Sequence, residues 1–362
     1  MKVAFVHDWL VTYRGGEKVL EALLELYPGA PVYTLFYRPE GLPESLTSRE
    51  VIAPKWLQGC WKAKALLLPL FPAIIEAFPL EDYDLVISTS SCVAKGAMVG
   101  PSALHVSYIH SPMRYIWDQR RHYVESKPWF MKPIIHWLSQ KLRVWDMTSS
   151  VRVGKFIANS GFVARRVRAY YGRDAFVLPP PINVPEKRPD KPSLGERYFI
   201  VAGAFVAYKG FDLAIRSCQA AGKKLVVAGS GPDEARLRQL AGRETRWYIS
   251  PNDDEFQSLI SGADALLFPG IEDFGMIAIE AMAQGTPVIA RRGGGALDFI
   301  QEGETGCFFS GCPGDDLKDV IESFDPDSYS PEVLRTFALG YSKESFQKSF
   351  QGIVDKALGE LG

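Results

Sequence analysis

Residues 2–26 read KVAFVHDWLVTYRGGEKVLEALLEL. Lys2 to His7 is a short apolar run that ends at a loop, Asp8 to Arg14. Gly15 and Gly16 follow, and Glu17 to Leu26 carries the apolar spacing of a helix. A strand, a glycine-rich turn and a helix in that order open a doubly wound α/β unit.

The alternation continues outward. Asp84 to Ser88, Leu104 to Ile109, Phe156 to Ala158 and Phe176 to Leu178 read as buried strands, with a helix over Phe162 to Tyr170. Residues 178–194 then hold six prolines, which cannot lie inside a helix or a central strand. This stretch reads as a stiff linker. Beyond it come strands at Tyr198 to Ala202, Lys224 to Ala228, Ala265 to Phe268 and Pro287 to Ala290. Helices are predicted at Phe211 to Ala221, Glu234 to Ala241, Asp254 to Ser261 and Met276 to Ala283. The pattern predicts an α/β chain of two parallel-sheet domains. They cover residues 1–180 and 196–340, with a linker at 181–195 and an amphipathic closing helix within 341–362.

A chain of 362 residues suits two domains of ordinary size. Its net charge of −1 gives no global attraction to nucleic acid. The cysteines Cys60, Cys92, Cys218, Cys307 and Cys312 form no Cys-x-x-Cys pair, which suggests a reducing cytosol. Met1 to Val6 runs straight into a strand pattern, so no signal peptide is expected. The longest apolar stretch, Ala65 to Ile75, is too short to span a bilayer and is cut by Pro69 and Pro72.

The most informative motif is FPGIEDFGMIAIEAMAQG, residues 268–285. Glu272 and Glu280 stand with seven residues between them. Pro269 and Gly270 favour a turn before Glu272, and Gly275 precedes an apolar helix that carries Glu280 on its second turn. Eight residues of helix span about 12 Å. That length lets one carboxylate meet sugar hydroxyls and the other ribose hydroxyls, with a helix N-terminus between them suited to a pyrophosphate.

This motif resembles the Glu-x7-Glu motif of retaining glycosyltransferases of family 4, and in particular the O-antigen and phosphatidylinositol mannosyltransferases. The segments VAFVHDWLVTYRGGEKVLEAL, YIHSPMRY, ANSGFVARRV, LPPPIN, VAYKGFDLAI, GSGP and GTPVIARRGGGALDFI follow in the order of that family. The resemblance implies the GT-B type, two Rossmann-like doubly wound domains facing across a cleft, with a terminal helix returning to the first. It also implies a donor site built from Gly15, Gly16, Lys209, Glu272, Phe274, Gly275, Met276, Ile277 and Glu280. Among these Lys209 lies on the pyrophosphate, where a positioned cation neutralises the leaving group without a metal. His110, at the end of a predicted strand, lies beside the transferred sugar and joins Lys209 and Glu272 as a catalytic candidate. His7, Asp8 and Arg114 are acceptor-side candidates. Asp8 is a candidate base, although enzymes of this type let the departing phosphate take the proton.

One departure stands out. The family's usual arginine, five residues before the lysine, is Ala204 here. Arg14, Arg114 or backbone N–H groups are candidates to carry the missing charge.

Asp82-Tyr83-Asp84 and Asp325-Pro326-Asp327 read as turns, so no metal and no cofactor are expected. Residues 114–145 interleave cations with tryptophans. Arg120, Arg121, Lys127, Trp129, Phe130 and Lys132 are the candidate contacts with an anionic membrane surface.

The resemblance therefore implies a cytoplasmic hexosyltransferase, peripheral on the inner face of the membrane. Its partners would be a nucleotide sugar, GDP-mannose favoured, and a lipid-linked or polysaccharide acceptor, with no nucleic acid. The rivals are a nucleotide-sugar epimerase of the same fold and a catalytically silent nucleotide- or glycan-binding protein, which Ala204 keeps open.

Overall fold

The structure is a computed structural model that describes residues 1–118, 124–125, 128–190, 192, 194–310 and 316–360. The chain forms two units, residues 1–181 with 346–362, and residues 182–345.

The first unit holds a seven-stranded parallel sheet of β1 (Val3–His7), β2 (Val32–Thr34), β3 (Val51–Ile52), β4 (Leu85–Ser90), β5 (Leu104–Ile109), β6 (Lys155–Ala158) and β7 (Ala175–Val177). The order is β3-β2-β1-β4-β5-β6-β7. Both faces are covered: Phe5 packs into one core cluster, and Ala4 and Val6 into another. That is why β1 reads as continuous apolar sequence rather than an alternation. The strand order reverses between β1 and β4, and ligands bind outside the carboxyl ends of strands at such a switch point. Helix α1 (Gly15–Leu26) follows β1, and helix α2 (Lys132–Ser149) lies between β5 and β6. The C-terminal helix Lys343–Gly359 buries Phe346, Phe350, Val354 and Ala357 in the same cluster as Phe5, Leu23 and Tyr108.

The second unit holds a six-stranded parallel sheet of β8 (Phe199–Ala204), β9 (Leu225–Ser230), β10 (Thr245–Ile249), β11 (Ala265–Phe268), β12 (Val288–Arg291) and β13 (Gly306–Phe309). The order is β10-β9-β8-β11-β12-β13, with the switch point between β8 and β11. Helix α3 (Phe211–Ala220) follows β8. Helix α4 (Met276–Ala283) follows β11 and packs on α5 (Pro331–Leu339).

The proline-rich stretch does not stand off as a spacer. Ile182, Val184 and Leu194 join the core of the second unit, and the Arg335 guanidinium donates to the Pro185 carbonyl at 2.8 Å. Proline removes a donor but leaves its carbonyl available, so an extended proline-rich segment can still be fastened to a surface.

Candidate functional site

Lys209 and Glu272 sit on the two loops that flank the switch point of the second unit. Lys209 ends a helical turn, Ala207–Lys209, just after β8, and Glu272 lies just after β11. The Lys209 Nζ is 2.8 Å from the Glu272 Oε1. Their backbones are tightly apposed. A Cβ on Gly270 would lie 2.8 Å from the Lys209 Cα, and one on Gly210 would lie 3.2 Å from the Pro269 side chain. Behind the Glu272 loop, the Gly295 N–H donates to the Glu272 carbonyl at 2.9 Å.

Helix α4 begins at Met276. Its N-cap, Gly275, has φ of 101°, and a Cβ there would fall 2.4 Å from the Phe268 ring. Only glycine fits both the left-handed backbone and the space. Met276, Ile277 and Glu280 are half-buried on this helix. Phe274 differs from the sequence reading. Its side chain is 3% exposed and packs against Phe299 and Tyr341, so it is a core residue and leaves only its backbone for a ligand. Ala204 closes β8 as its last residue.

In the first unit, His7, Thr89, Glu17 and His110 gather at the carboxyl ends of β1, β4 and β5. The His7 Nδ1 is 2.6 Å from the Thr89 Oγ1, and its Nε2 is 3.9 Å from the Glu17 Oε1. Glu17 also accepts from the Arg14 N–H at 2.9 Å at the head of α1, a capping-box bond that the Arg-Gly-Gly-Glu sequence allows. The His110 Nε2 is buried without a hydrogen-bond partner among the described residues. A Cβ on Gly16 would stand 3.6 Å from that nitrogen, so the start of α1 packs closely against the ring. Gly15 and Gly16 form the first residues of α1.

Asp8 corrects the sequence reading. Its Oδ2 accepts from the Ser91 N–H at 2.6 Å, the Ser91 hydroxyl at 3.2 Å and the Cys92 N–H at 2.8 Å. Its Oδ1 accepts from the Val93 and Ala94 N–H groups, each at 2.7 Å. Both oxygens are committed to the loop after β4, and the residue is 2% exposed. A base needs a free lone pair within reach of its substrate; Asp8 instead fixes the loop. Arg114 is half-buried and donates from Nε to the Ser111 hydroxyl at 3.3 Å.

Burial pushes His110 down to about 3, with His7 adding to the effect. Burial, reinforced by Lys95 and Arg152, pushes His105 down to about 3 as well. Unfolded histidine takes its proton near 6.5. The unfolded chain therefore binds more protons than the folded one below that value. The stability from each neutral histidine is complete above pH 6.5 and is lost as pH falls toward 3. Each contributes a slope approaching about 1.4 kcal/mol per pH unit. Urea unfolding at pH 7, 6 and 5 should show this decline, and His105→Gln should flatten it. Equal stability of the parent chain at pH 7 and pH 5 would contradict the burial of these rings.

The candidate membrane segment presents an inverted helix. Helix α2 turns Ser139, Leu142, Asp146 and Ser149 inward. Asp146 is held by Lys95 Nζ at 3.0 Å, Trp117 Nε1 at 2.8 Å and the Tyr171 hydroxyl at 2.9 Å. Ile134, Trp137, Val144 and Met147 are exposed, and just before the helix Trp129 is 81% exposed, with Phe130 also exposed. Lys132 is half-buried. Arg120, Arg121 and Lys127 lie outside the described residues, as does Cys312. Among the described residues, no helix is long and apolar enough to cross a membrane, and no group of three or more His, Cys, Asp or Glu is placed to hold a metal ion. Asp325 caps the Asp327 N–H, and Asp327 accepts from Arg197 at 2.7 Å, which are turn and surface contacts.

Residues 13–185 match the model described as Glycosyltransferase Family 4, and residues 183–337 match that described as Glycosyl transferases group 1. The chain carries the fold of the group 1 and family 4 glycosyltransferases. Among relatives of this glycosyltransferase fold, it is 28% identical over 296 residues to the sulfoquinovosyl transferase of Arabidopsis thaliana, covering 76% of this chain and 56% of that protein. It is also 28% identical over 223 residues to the GDP-mannose-dependent alpha-(1-6)-phosphatidylinositol monomannoside mannosyltransferase of Mycobacterium tuberculosis, covering 53% of this chain and 56% of that protein. The chain thus spans about half the length of these curated relatives. The solved structure of Anabaena HepE in complex with UDP has the same fold, with a TM-score of 0.69 at 16% identity over 98% of this chain and 100% of that one.

Sequence reasoning missed Thr89, Glu17 and the Lys95–Asp146 pair. Glu17 was open to recognition as a helix-capping acid three residues after Arg14. Thr89 and Lys95 carry no local signal, because their partners are 82 and 51 residues away.

Proposed function

We propose that this chain is a retaining glycosyltransferase that moves a hexose from a nucleotide sugar to a lipid-linked or polysaccharide acceptor in bacterial envelope glycan synthesis, with mannose from GDP-mannose favoured. The observation that carries this reading is the placement of Lys209 and Glu272, 2.8 Å apart at the switch point of the second sheet, beside the N-terminus of α4. Lys209 would neutralise the diphosphate as the glycosidic bond breaks, and the first N–H groups of α4 would meet its oxygens. Glu272 would accept from sugar hydroxyls and Glu280 from ribose hydroxyls. His110 offers a neutral nitrogen suited to a sugar hydroxyl. No carboxylate is assigned as a nucleophile. The acceptor oxygen therefore attacks C1 on the face the phosphate leaves, and its proton goes to that phosphate. On this reading catalysis is metal-independent, with Lys209 supplying the cation. The outward aromatic side chains of Trp129, Phe130 and Trp137 support a peripheral position on the inner membrane face.

The test is thermal unfolding of the full chain with excess GDP, UDP or ADP. At about 100 times the dissociation constant, stabilisation approaches 2.7 kcal/mol. One nucleotide should raise Tm, and Glu280→Ala should abolish the rise. Nucleotide release from the matching donor, with and without membrane lipid extract, then separates the outcomes. Acceptor-dependent release supports transfer. Sugar isomerisation without acceptor indicates the epimerase, and binding with no release indicates the silent protein.

A further inference from the structure

The Lys209–Glu272 pair joins two groups that the donor must address separately. The ammonium is the cation for the diphosphate, and the carboxylate is the acceptor for the sugar. In the structure each occupies the other. Both side chains are mostly buried, at 16% and 18% exposure, whereas the surface pair Lys224–Glu196 of the same unit leaves 38% and 44%. At Gly270 and Gly210 the two loops approach so closely that a Cβ on either glycine would press on the other loop. The Lys209 Nζ lies 3.4 Å from the point where a Cβ on Gly203 would stand, at the carboxyl end of β8.

We propose that this ion pair makes the site select an intact nucleotide sugar over the free nucleoside diphosphate, with Glu272 as the specificity-determining residue. The proposal rests on the donor-site reading above. A diphosphate must draw Lys209 away from Glu272 or share it. Either way a carboxylate is left near new negative charge, with its own partner weakened. A sugar attached to the diphosphate brings hydroxyl donors to that carboxylate and restores its hydrogen bonding. A free nucleoside diphosphate brings none. The cost of opening the pair is therefore offset for the donor and uncompensated for the product, which favours product release after transfer. Ala204 sharpens the effect. With no arginine at that position, Lys209 is the cation that the product must take from Glu272.

The experiment is calorimetric titration of the full chain, its Glu272→Gln and Glu272→Ala variants, and Lys209→Met. The probes are GDP with GDP-mannose and UDP with UDP-glucose. Both Glu272 variants should bind the diphosphate about fivefold more tightly, the factor of a partly screened ion pair, and should bind the nucleotide sugar more weakly. The ratio of the two dissociation constants should then fall at least about tenfold. The alanine variant guards against a residual hydrogen bond from glutamine, and a cooperative melting transition confirms that each variant folds. Lys209→Met should weaken both ligands. Diphosphate affinity unchanged or weakened in both Glu272 variants, while the parent chain binds, overturns the selection mechanism and leaves the donor site standing. Failure of the parent chain to bind any of the four probes overturns both.

Discussion

Lys209→Met should lower kcat/KM for sugar transfer by about 10²- to 10³-fold, the usual cost of removing one preorganised charge partner from a transition state. The argument begins with charge. Breaking the bond between a sugar and a diphosphate leaves an extra negative charge on the phosphate oxygens. In a site partly withdrawn from water, a cation a few ångströms away counts for far more than in bulk solvent. The Lys209 backbone packs closely against the Gly270 turn just after β8, on the loop that flanks the proposed diphosphate site. The family's second cation is Ala204 here, which concentrates the load on one residue. Lys209→Met should also lower stability, because it leaves the mostly buried Glu272 carboxylate without its partner. Lys209→Arg should recover only part of the rate, since a planar guanidinium does not replace a compact ammonium. Initial rates with a radiolabelled donor, alongside melting curves, check both halves of the expectation. Activity within fivefold of the parent chain in Lys209→Met would remove Lys209 from the mechanism.

Asp8→Ala should destabilise the first unit by about 3–5 kcal/mol, the range for losing one partner of a buried, fully hydrogen-bonded charge. The carboxylate accepts from four consecutive backbone N–H groups, Ser91 through Ala94, and from the Ser91 hydroxyl. A methyl group in its place leaves those donors without partners in a region closed to water, and each unsatisfied donor carries its own desolvation cost. Asp8→Asn should be nearly as damaging. An amide can accept at one oxygen, but its NH₂ would face N–H groups that also donate. Denaturant unfolding of both variants measures the loss. A change below about 1 kcal/mol, the value of one ordinary hydrogen bond, would show that the loop after β4 keeps its shape without Asp8.

Elements with dense apolar character were legible with little error. Leu104–Ile109, Ala265–Phe268 and Met276–Ala283 were located to the residue, because a largely buried strand or helix is predominantly apolar. Most edge strands escaped, Ala175–Val177 excepted, and so did the short interior strand Val32–Thr34. Val51–Ile52 has two residues and Gly306–Phe309 opens with a glycine. A strand paired on one side needs little sequence of its own, since its partner supplies the register. Thr245–Ile249 mixes half-buried and exposed residues at the sheet edge and was not read as a strand.

The candidate site divides along the same physical line. Glu272, Gly275 and Glu280 lie within nine consecutive residues, so chain geometry alone fixes their order and approximate span. Gly275 could be anticipated, because a helix starting from a left-handed residue calls for glycine. The pairing of Lys209 with Glu272, the burial of Phe274 and the diversion of Asp8 to backbone capping depend on residues far apart in sequence. The sequence determined two parallel α/β units and the carboxylates, lysine and glycines available for nucleotide-sugar chemistry, because strand burial, turns and helix starts are local properties. Only the tertiary structure decided which of those groups meet. Hydrogen bonds and ion pairs between loops are set by strand order and loop packing, and a carboxylate looks the same in sequence whether it faces a ligand or four backbone amides.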